Sequence, residues 1–197
     1  MEFLKIQVTK KNTLNIVFKD GASNIVTVEG SNIVHKDLKQ AMNGLIPHIA
    51  LMTEQREADG RTLKEVEADR ITDANSRSVF KMLGVDTITL SEDEFVVSLN
   101  GYRILQSSDV IRLNTPNVNV GDPDKYQYGN ELSLAIDAVK YEAKLYYEEQ
   151  KWGIKDGSLD FAEDDPFKGV DAEATPEAPA VEGGEKKNKK RGRKKSA

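Results

Sequence analysis

Cysteine is absent from the 197 residues. That absence removes a disulfide framework, thiolate zinc sites, iron–sulfur ligation and cysteine nucleophiles, and it fits a reducing, intracellular setting. Histidine is nearly as scarce. His35 and His48 are too far apart for the H-x₃-H spacing of a zinc-binding helix, so each reads as a packed or surface histidine. No glycine-rich phosphate loop, nucleophile elbow or dinucleotide fingerprint occurs. Glu92-Asp93-Glu94 and Asp122-Pro123-Asp124 read as turns, not cation sites. The expectation is a non-catalytic protein without cofactor or metal. No run approaches about 18 apolar residues, and Met1–Lys5 lacks a signal-peptide core, so membrane-spanning and secreted readings fall.

Apolar residues are also few. They make up 38% of the chain, against 31% charged, where globular chains average about 45–50% apolar. A folded body with a disordered portion explains the deficit, and the charge distribution locates the division. Lys186–Lys195 carries +8, Gly153–Glu185 carries −8, and residues 1–152 carry −5. Residues 168–185, rich in Ala, Pro, Glu and Gly, have almost nothing to bury and read as a disordered linker. The expected organisation is a folded body over 1–152, an acidic segment over 153–167, the linker, and a basic tail over 186–197.

Within the body, Leu4, Ile6 and Val8 alternate with Lys5 and Gln7, and Leu14, Ile16 and Phe18 repeat the pattern, two strand signatures. On that count Phe3 falls on the polar side with Lys5 and Gln7. Asp20-Gly21 suits a tight turn. Asn24–Val28 and Asn32–His35 read as two further short strands separated by Glu29-Gly30. Leu38, Met42, Leu45, Ile49 and Met52 then form one helical face, with Asp37 at its start and Pro47 placed to kink or divide it. Residues 56–78 are polar with some helix and a break at Asp59-Gly60. Strand character returns at Asp86–Leu90, Glu94–Leu99, Tyr102–Gln106 and Asp109–Leu113, with Asn100-Gly101 as a hairpin signal. Residues 114–129 read as a loop. Asn130–Trp152 closes the body as a helix with Leu132, Ile136, Val139, Ala143 and Tyr146 on one face. Phe18, Phe95 and Trp152 are expected in the core.

The two halves follow one plan. LKIQVTKKNTLNIVFKDG (4–21) lies beside DTITLSEDEFVVSLNG (86–101), and each half, about 3–57 and 85–152, continues to an amphipathic helix. The expected class is α+β: antiparallel sheets from two ββββα units with long amphipathic helices, plus a disordered C-terminal tail. Tandem ββββα units resemble the Whirly proteins and the related transcriptional positive cofactor family, which implies sheets that carry single-stranded nucleic acid and a homo-oligomer. The alternative is an oligonucleotide-binding barrel, a five-stranded Greek key with a helix after strand three, over residues 1–114.

The segment Leu159-Asp160-Phe161-Ala162-Glu163-Asp164-Asp165-Pro166-Phe167 resembles the acidic C-terminal tip of bacterial single-stranded DNA-binding proteins. Asp160-Phe161 matches its start, Glu163-Asp164-Asp165 its acidic run and Pro166-Phe167 its end. The resemblance implies docking onto replication or repair proteins in a bacterium or a phage-infected host cell, and hence a cytoplasmic location. Aromatic anchors supply apolar burial and carboxylates supply steering. Thirty residues follow Phe167, so the family's contact through a terminal carboxylate is not carried over.

Single-strand binders need cations along the backbone and aromatic faces for the bases. The candidates in the body are Lys5, Lys10, Lys11, Lys19, Tyr102, Arg103, Arg112, Tyr126 and Tyr128. In the tail they are Lys186, Lys187, Lys189, Lys190, Arg191, Arg193, Lys194 and Lys195, which contact phosphates by charge alone. The sequence therefore predicts a non-specific single-stranded DNA-binding protein of replication or recombination, with RNA not distinguished. The competing expectation is a protein–protein adaptor or phage structural protein whose basic tail binds nucleic acid.

Overall fold

The computed structural model describes residues 1–70 and 78–154. The linker, the basic tail and all but the first two residues of the acidic segment lie outside the described residues, including every partner-binding candidate from Asp160 to Phe167. In chain order the elements are β1 (Glu2–Val8), β2 (Thr13–Lys19), β3 (Ile25–Ile33), α1 (Lys36–Asn43), α2 (Ile46–Met52), α3 (Leu63–Ala68), α4 (Val79–Met82), β4 (Leu83–Leu90), β5 (Val96–Ile104), β6 (Val110–Asn114), β7 (Val118–Asn119) and α5 (Gly129–Glu148). The fold is α+β. Its seven strands form one antiparallel sheet in the order β3-β2-β1-β4-β5-β6, with β7 also pairing β5. No ladder among the described residues joins β3 to β5 or β6, so the sheet stays open.

The two halves meet at the β1–β4 ladder, where Ile6 lies opposite Ile88, its counterpart 82 positions on in the repeat. Equivalent residues facing each other in an antiparallel pair define an approximate twofold axis between them. Details of the backbone obey it. The β1–β2 register shifts between Phe3 and Lys5, and the β4–β5 register between Val85 and Thr87. Asn12, ending the first turn, has φ 58°, and its counterpart Glu94 has φ 59°. Helices obey it too: α1 packs on β4, α5 packs on β1, and α1 packs on α5. Each half thus covers the first strand of the other.

The strand count differs from the expectation. The first half has three strands, because Asn24–Val28 and Asn32–His35 belong to a single β3. Gly30 sits within it because a Cβ there would meet the Tyr146 hydroxyl, which donates to the Asn32 carbonyl at 2.6 Å. In the second half Asn100-Gly101 is not a hairpin. It lies inside β5, where Gly101 pairs with both Val85 and Leu113, and a Cβ there would come within 2.9 Å of Ile49 Cδ1. The glycine serves close packing of strand on helix, and the turn falls later, at Leu105–Asp109, with Ser108 at φ 68°. Pro47 does divide the long helix, standing in the first turn of α2.

The core lies between the sheet and the helices. Ile6, Ile16, Ile88 and Leu99 form a buried cross-strand row, against which α5 presents Leu132, Ile136, Val139, Ala143 and Tyr146 as its periodicity predicts. Phe18 is buried as expected. The β1 bulge turns Phe3 inward, so it packs edge-on against Phe18 at 6.3 Å and does not join Lys5 and Gln7. Phe95 and Trp152 are exposed, at 56% and 41%, against the expectation of core packing. Trp152 instead bridges Val34, and Gly153 donates to the Ile33 carbonyl at 2.7 Å, closing part of the β3 edge.

Ile6→Ala and Ile88→Ala are each expected to cost roughly 2–5 kcal/mol. Because the two side chains touch one ladder, the double variant should depart from additivity by at least 0.5 kcal/mol or so. Thr89→Ala, on the exposed side of the same ladder, should stay within about 0.5 kcal/mol of the parent. Urea unfolding midpoints check all four.

Candidate nucleic-acid interface

Residues directly opposite each other in an antiparallel ladder share a face. With Ile6, Ile88 and Leu99 turned to the helices, their neighbours Lys5, Gln7, Thr87, Thr89, Ser98 and Asn100 point the other way. Tyr102 and its cross-strand partner Arg112 continue that face towards the β1–β2 turn. Tyr102 lies across Gly84, where a Cβ would run into its ring. At this end of the sheet an open groove of about 540 Å³ is lined by Lys10, Asn12, Asp86, Tyr102, Val110 and Arg112, among others.

The groove combines fixed and free cations. Arg112 pairs with Asp86 through both terminal nitrogens, at 2.5 and 3.2 Å, yet keeps 54% of its side chain exposed. Lys10 and Lys11 are exposed on a turn that is well tied. Thr9 Oγ1 accepts from the amides of Lys11 and Thr13 at 3.2 and 3.3 Å and bonds Thr13 Oγ1 at 2.8 Å. Lys5, Lys10 and Lys11 make no ion pair among the described residues. Exposed cations, one ring and one arginine therefore surround a concave surface, an arrangement suited to a polyanion with flat groups.

The structure brings together Lys10, Tyr102 and Arg112, with Lys11 on the same turn and Lys5 farther along the same face. It takes other candidates away. Arg103, next to Tyr102 in a strand, must face the helices. It donates to both carboxylate oxygens of Glu57, at 2.6 and 2.7 Å, and to Gln55 Oε1 at 2.9 Å. The Glu57 side chain is 4% exposed, and the guanidinium holds its carboxyl below the ordinary glutamate value. Arg103 is a structural cation whose terminal nitrogens are committed to Glu57 and Gln55.

Tyr126 is likewise internal. Its hydroxyl and His48 Nδ1 share a hydrogen bond of 2.8 Å, their rings meet edge-on at 5.9 Å, and burial raises the phenol above its ordinary value. Tyr128 stands edge-on to Tyr126 at 5.8 Å, away from the groove lining. Lys19 closes on Glu92 at 2.7 Å with 18% of its side chain exposed, at the opposite end of β1. The tail candidates Lys186 to Lys195 lie outside the described residues.

Protein-family models, curated proteins and solved structures offer no match to this chain. The residues alone therefore define the site. Among the described residues no group of three or more His, Asp or Glu side chains is placed to hold a metal, and no helix is long and apolar enough to cross a membrane. Sequence reasoning overlooked Asn12 and Asp86 in the groove, and with them the side-chain amides of the sheet face. Asp86 had a usable signal, since it opens the second repeat opposite the lysine-bearing turn.

His48, in α2, carries a pH test of this packing. It is 1% exposed, and burial lowers its pKa from 6.5 to about 4. Between those values the unfolded chain binds a proton that the folded chain does not. Stability is therefore undiminished above pH 6.5 and falls as the pH drops towards 4, by up to about 1.4 kcal/mol per unit. The shifted carboxyls of Asp37 and Glu57 start from 3.8 and 4.5 and move down, outside most of that window. Urea midpoints at pH 7, 6 and 5 should show the slope, and His48→Gln should flatten it.

Proposed function

We propose that this protein binds single-stranded DNA non-specifically on the helix-free face of its sheet, in replication or recombination, and recruits partner proteins through residues 159–167. The observation that carries the reading is the meeting of Lys10, from the β1–β2 turn, with the β5–β6 pair Tyr102 and Arg112 in one groove, which joins two distant parts of the chain. Lysines offer charge and counterion release to phosphates. Tyr102 offers a ring to a base, and Arg112 offers both charge and a planar face. The acidic Asp160–Phe167 segment and the basic Lys186–Lys195 tail support the reading by resemblance and by charge, respectively. Homo-oligomerisation is part of the proposal only through the family resemblance.

The sheet fits the two family resemblances unequally. The near-twofold relation of the halves favours a duplicated unit, as in the Whirly comparison, but the first half has three strands. A three-stranded meander followed by helices resembles in its order the oligonucleotide-binding barrel, but the sheet is open and four strands, not two, follow the helices. Either resemblance implies nucleic acid carried on strands, which supports the reading.

The test is fluorescence anisotropy with single-stranded and duplex oligonucleotides across a salt series, using the full chain, its Lys10→Ala/Lys11→Ala variant and a form ending at residue 154. Removing two phosphate contacts should reduce the steepness of the log–log salt dependence by about 1.4, at roughly 0.7 per contact on a single strand. Tyr102→Ala should lose roughly 1–3 kcal/mol of single-strand affinity. Arg103→Ala should leave the slope unchanged while lowering stability by roughly 3 kcal/mol, because it strands a buried carboxylate. Binding that vanishes with the tail and ignores Lys10 and Lys11 would instead make this an adaptor with a nucleic-acid-binding tail.

A further inference from the structure

The face opposite the helices carries a row that charge and aromatic content alone do not reveal. Ladder partners run Glu29–Asn15–Gln7–Thr87–Asn100–Asn114, one residue from each of six strands, every neighbour directly paired. Four of the six are side-chain amides. At a strand spacing of about 4.8 Å the row extends for about 24 Å. Thr87 is buried and donates to Asp86. Gln7, Asn15, Asn100 and Asn114 are partly or fully exposed, and among the described residues their side chains make no hydrogen bond. The direct pairing makes this a line of amides across the sheet.

Its flanks are cationic. Lys5 stands two residues from Gln7 on the same face of β1, about 7 Å to one side. Tyr102 and Arg112 stand two residues from Asn100 and Asn114 on the other side, with Lys10 beyond them. Glu29 ends the row on β3 and disfavours phosphate there. A polyanion laid along the row would set its phosphates over the cations and its bases over the amides.

We infer that Gln7, Asn15, Asn100 and Asn114 hydrogen-bond the unpaired base edges of single-stranded DNA, and that this row, not the cations, sets the preference for single strands. The inference rests on the function proposed above. A side-chain amide carries two donors and an acceptor, so it can satisfy any base without selecting one. In a duplex the pairing edges are already engaged and the remaining base edges are recessed in the grooves, so a sheet face meets chiefly the phosphates, which any cation can hold. Charge-based affinity and base-edge contacts thus reside in different residues.

The experiment uses the full chain and three ligands of equal length: a single strand with bases, an abasic single strand and a duplex. The protein should favour the base-bearing strand over the abasic one by tenfold or more. Gln7→Met/Asn100→Leu removes two hydrogen-bonding groups at nearly constant volume. It should weaken base-bearing single-strand binding roughly tenfold, leaving abasic and duplex binding and the salt slope unchanged. Equal affinity of the parent for abasic and base-bearing strands would overturn the inference, and needs no variant to fold. So would a variant loss of the same size on both strands. Failure of the parent to bind any single strand through residues 1–154 would remove the proposed function itself, a result distinct from either.

Discussion

Three residue pairs join the two halves of the sheet. Lys5–Thr89, Ile6–Ile88 and Gln7–Thr87 make up the β1–β4 ladder, the one ladder of named strands among the described residues that joins the halves. Without it, two meanders would each expose an apolar face too small to bury alone. The helices strengthen the join by crossing over it, α1 onto β4 and α5 onto β1. Separating the halves would therefore break the ladder and uncover both helices in one event, so the body should unfold as a unit. The ladder also divides labour between its faces. Ile6 and Ile88, fully buried, hold the helices, while the alternate residues Lys5, Gln7 and Thr89 are turned to the open side. The core and the candidate interface are fixed by the same register, and a one-residue slip would exchange them.

The twofold relation makes the charge pattern informative. Thr9-Lys10-Lys11-Asn12 and Ser91-Glu92-Asp93-Glu94 are equivalent turns with matching left-handed final residues. In both, the first hydroxyl organises the turn: Thr9 bonds Lys11 N and Thr13, and Ser91 bonds Asp93 and Val96 N. The backbone needs that hydroxyl and leaves the charges unconstrained, and here they are inverted. The acidic turn is also partly neutralised, with Glu92 paired to Lys19 and Glu94 to Lys140, both at 2.7 Å. The basic turn has no such partners among the described residues. The sheet therefore has one cationic end, and with screening over about 8 Å at physiological salt its field remains local. Of two symmetric places where a polyanion could lie, only one is open to it.

Much of this was legible in the sequence where local period governs. The alternation of Leu14, Ile16 and Phe18, the buried stripe of α5, and the likeness of 4–21 to 86–101 all survive in the structure. The losses occurred where distant residues overrule local signals. Asn100-Gly101 has the composition of a turn, but Ile49 and Gly84 leave room there only for a glycine in a continuous strand. Phe3 reads as outward-facing until a bulge at Leu4 adds a residue to the count. Arg103 looks identical to Arg112 in one dimension, yet strand parity sends it to Glu57, 46 positions away in sequence. Tyr126 sits in a loop by composition and in the core by virtue of His48. The amide row was unreadable for the same reason: its members are neighbours only through five ladders, whose registers no local pattern specifies.

The scarcity of aromatics on the open face constrains how any single strand could be held. Among the described residues Tyr102 is the one ring lining the groove. Phe3 and Phe18 belong to the core, Tyr126 is locked to His48, and Phe95 stands beside the acidic turn, where phosphate is disfavoured. Stacking of several bases, the usual source of sequence-tolerant affinity at roughly 1–3 kcal/mol each, is therefore restricted to about one base. Phosphate contacts can replace that affinity, but they do not favour the single strand, since each releases about 0.7 counterion there against about 0.9 on a duplex. Selectivity for an unpaired strand must then come from groups that meet base edges without preferring one base, and the amides, which both donate and accept and reach farther than the hydroxyls of Thr89 and Ser98, suit that task. The need for such groups follows from the aromatic deficit, independently of the register that aligns them.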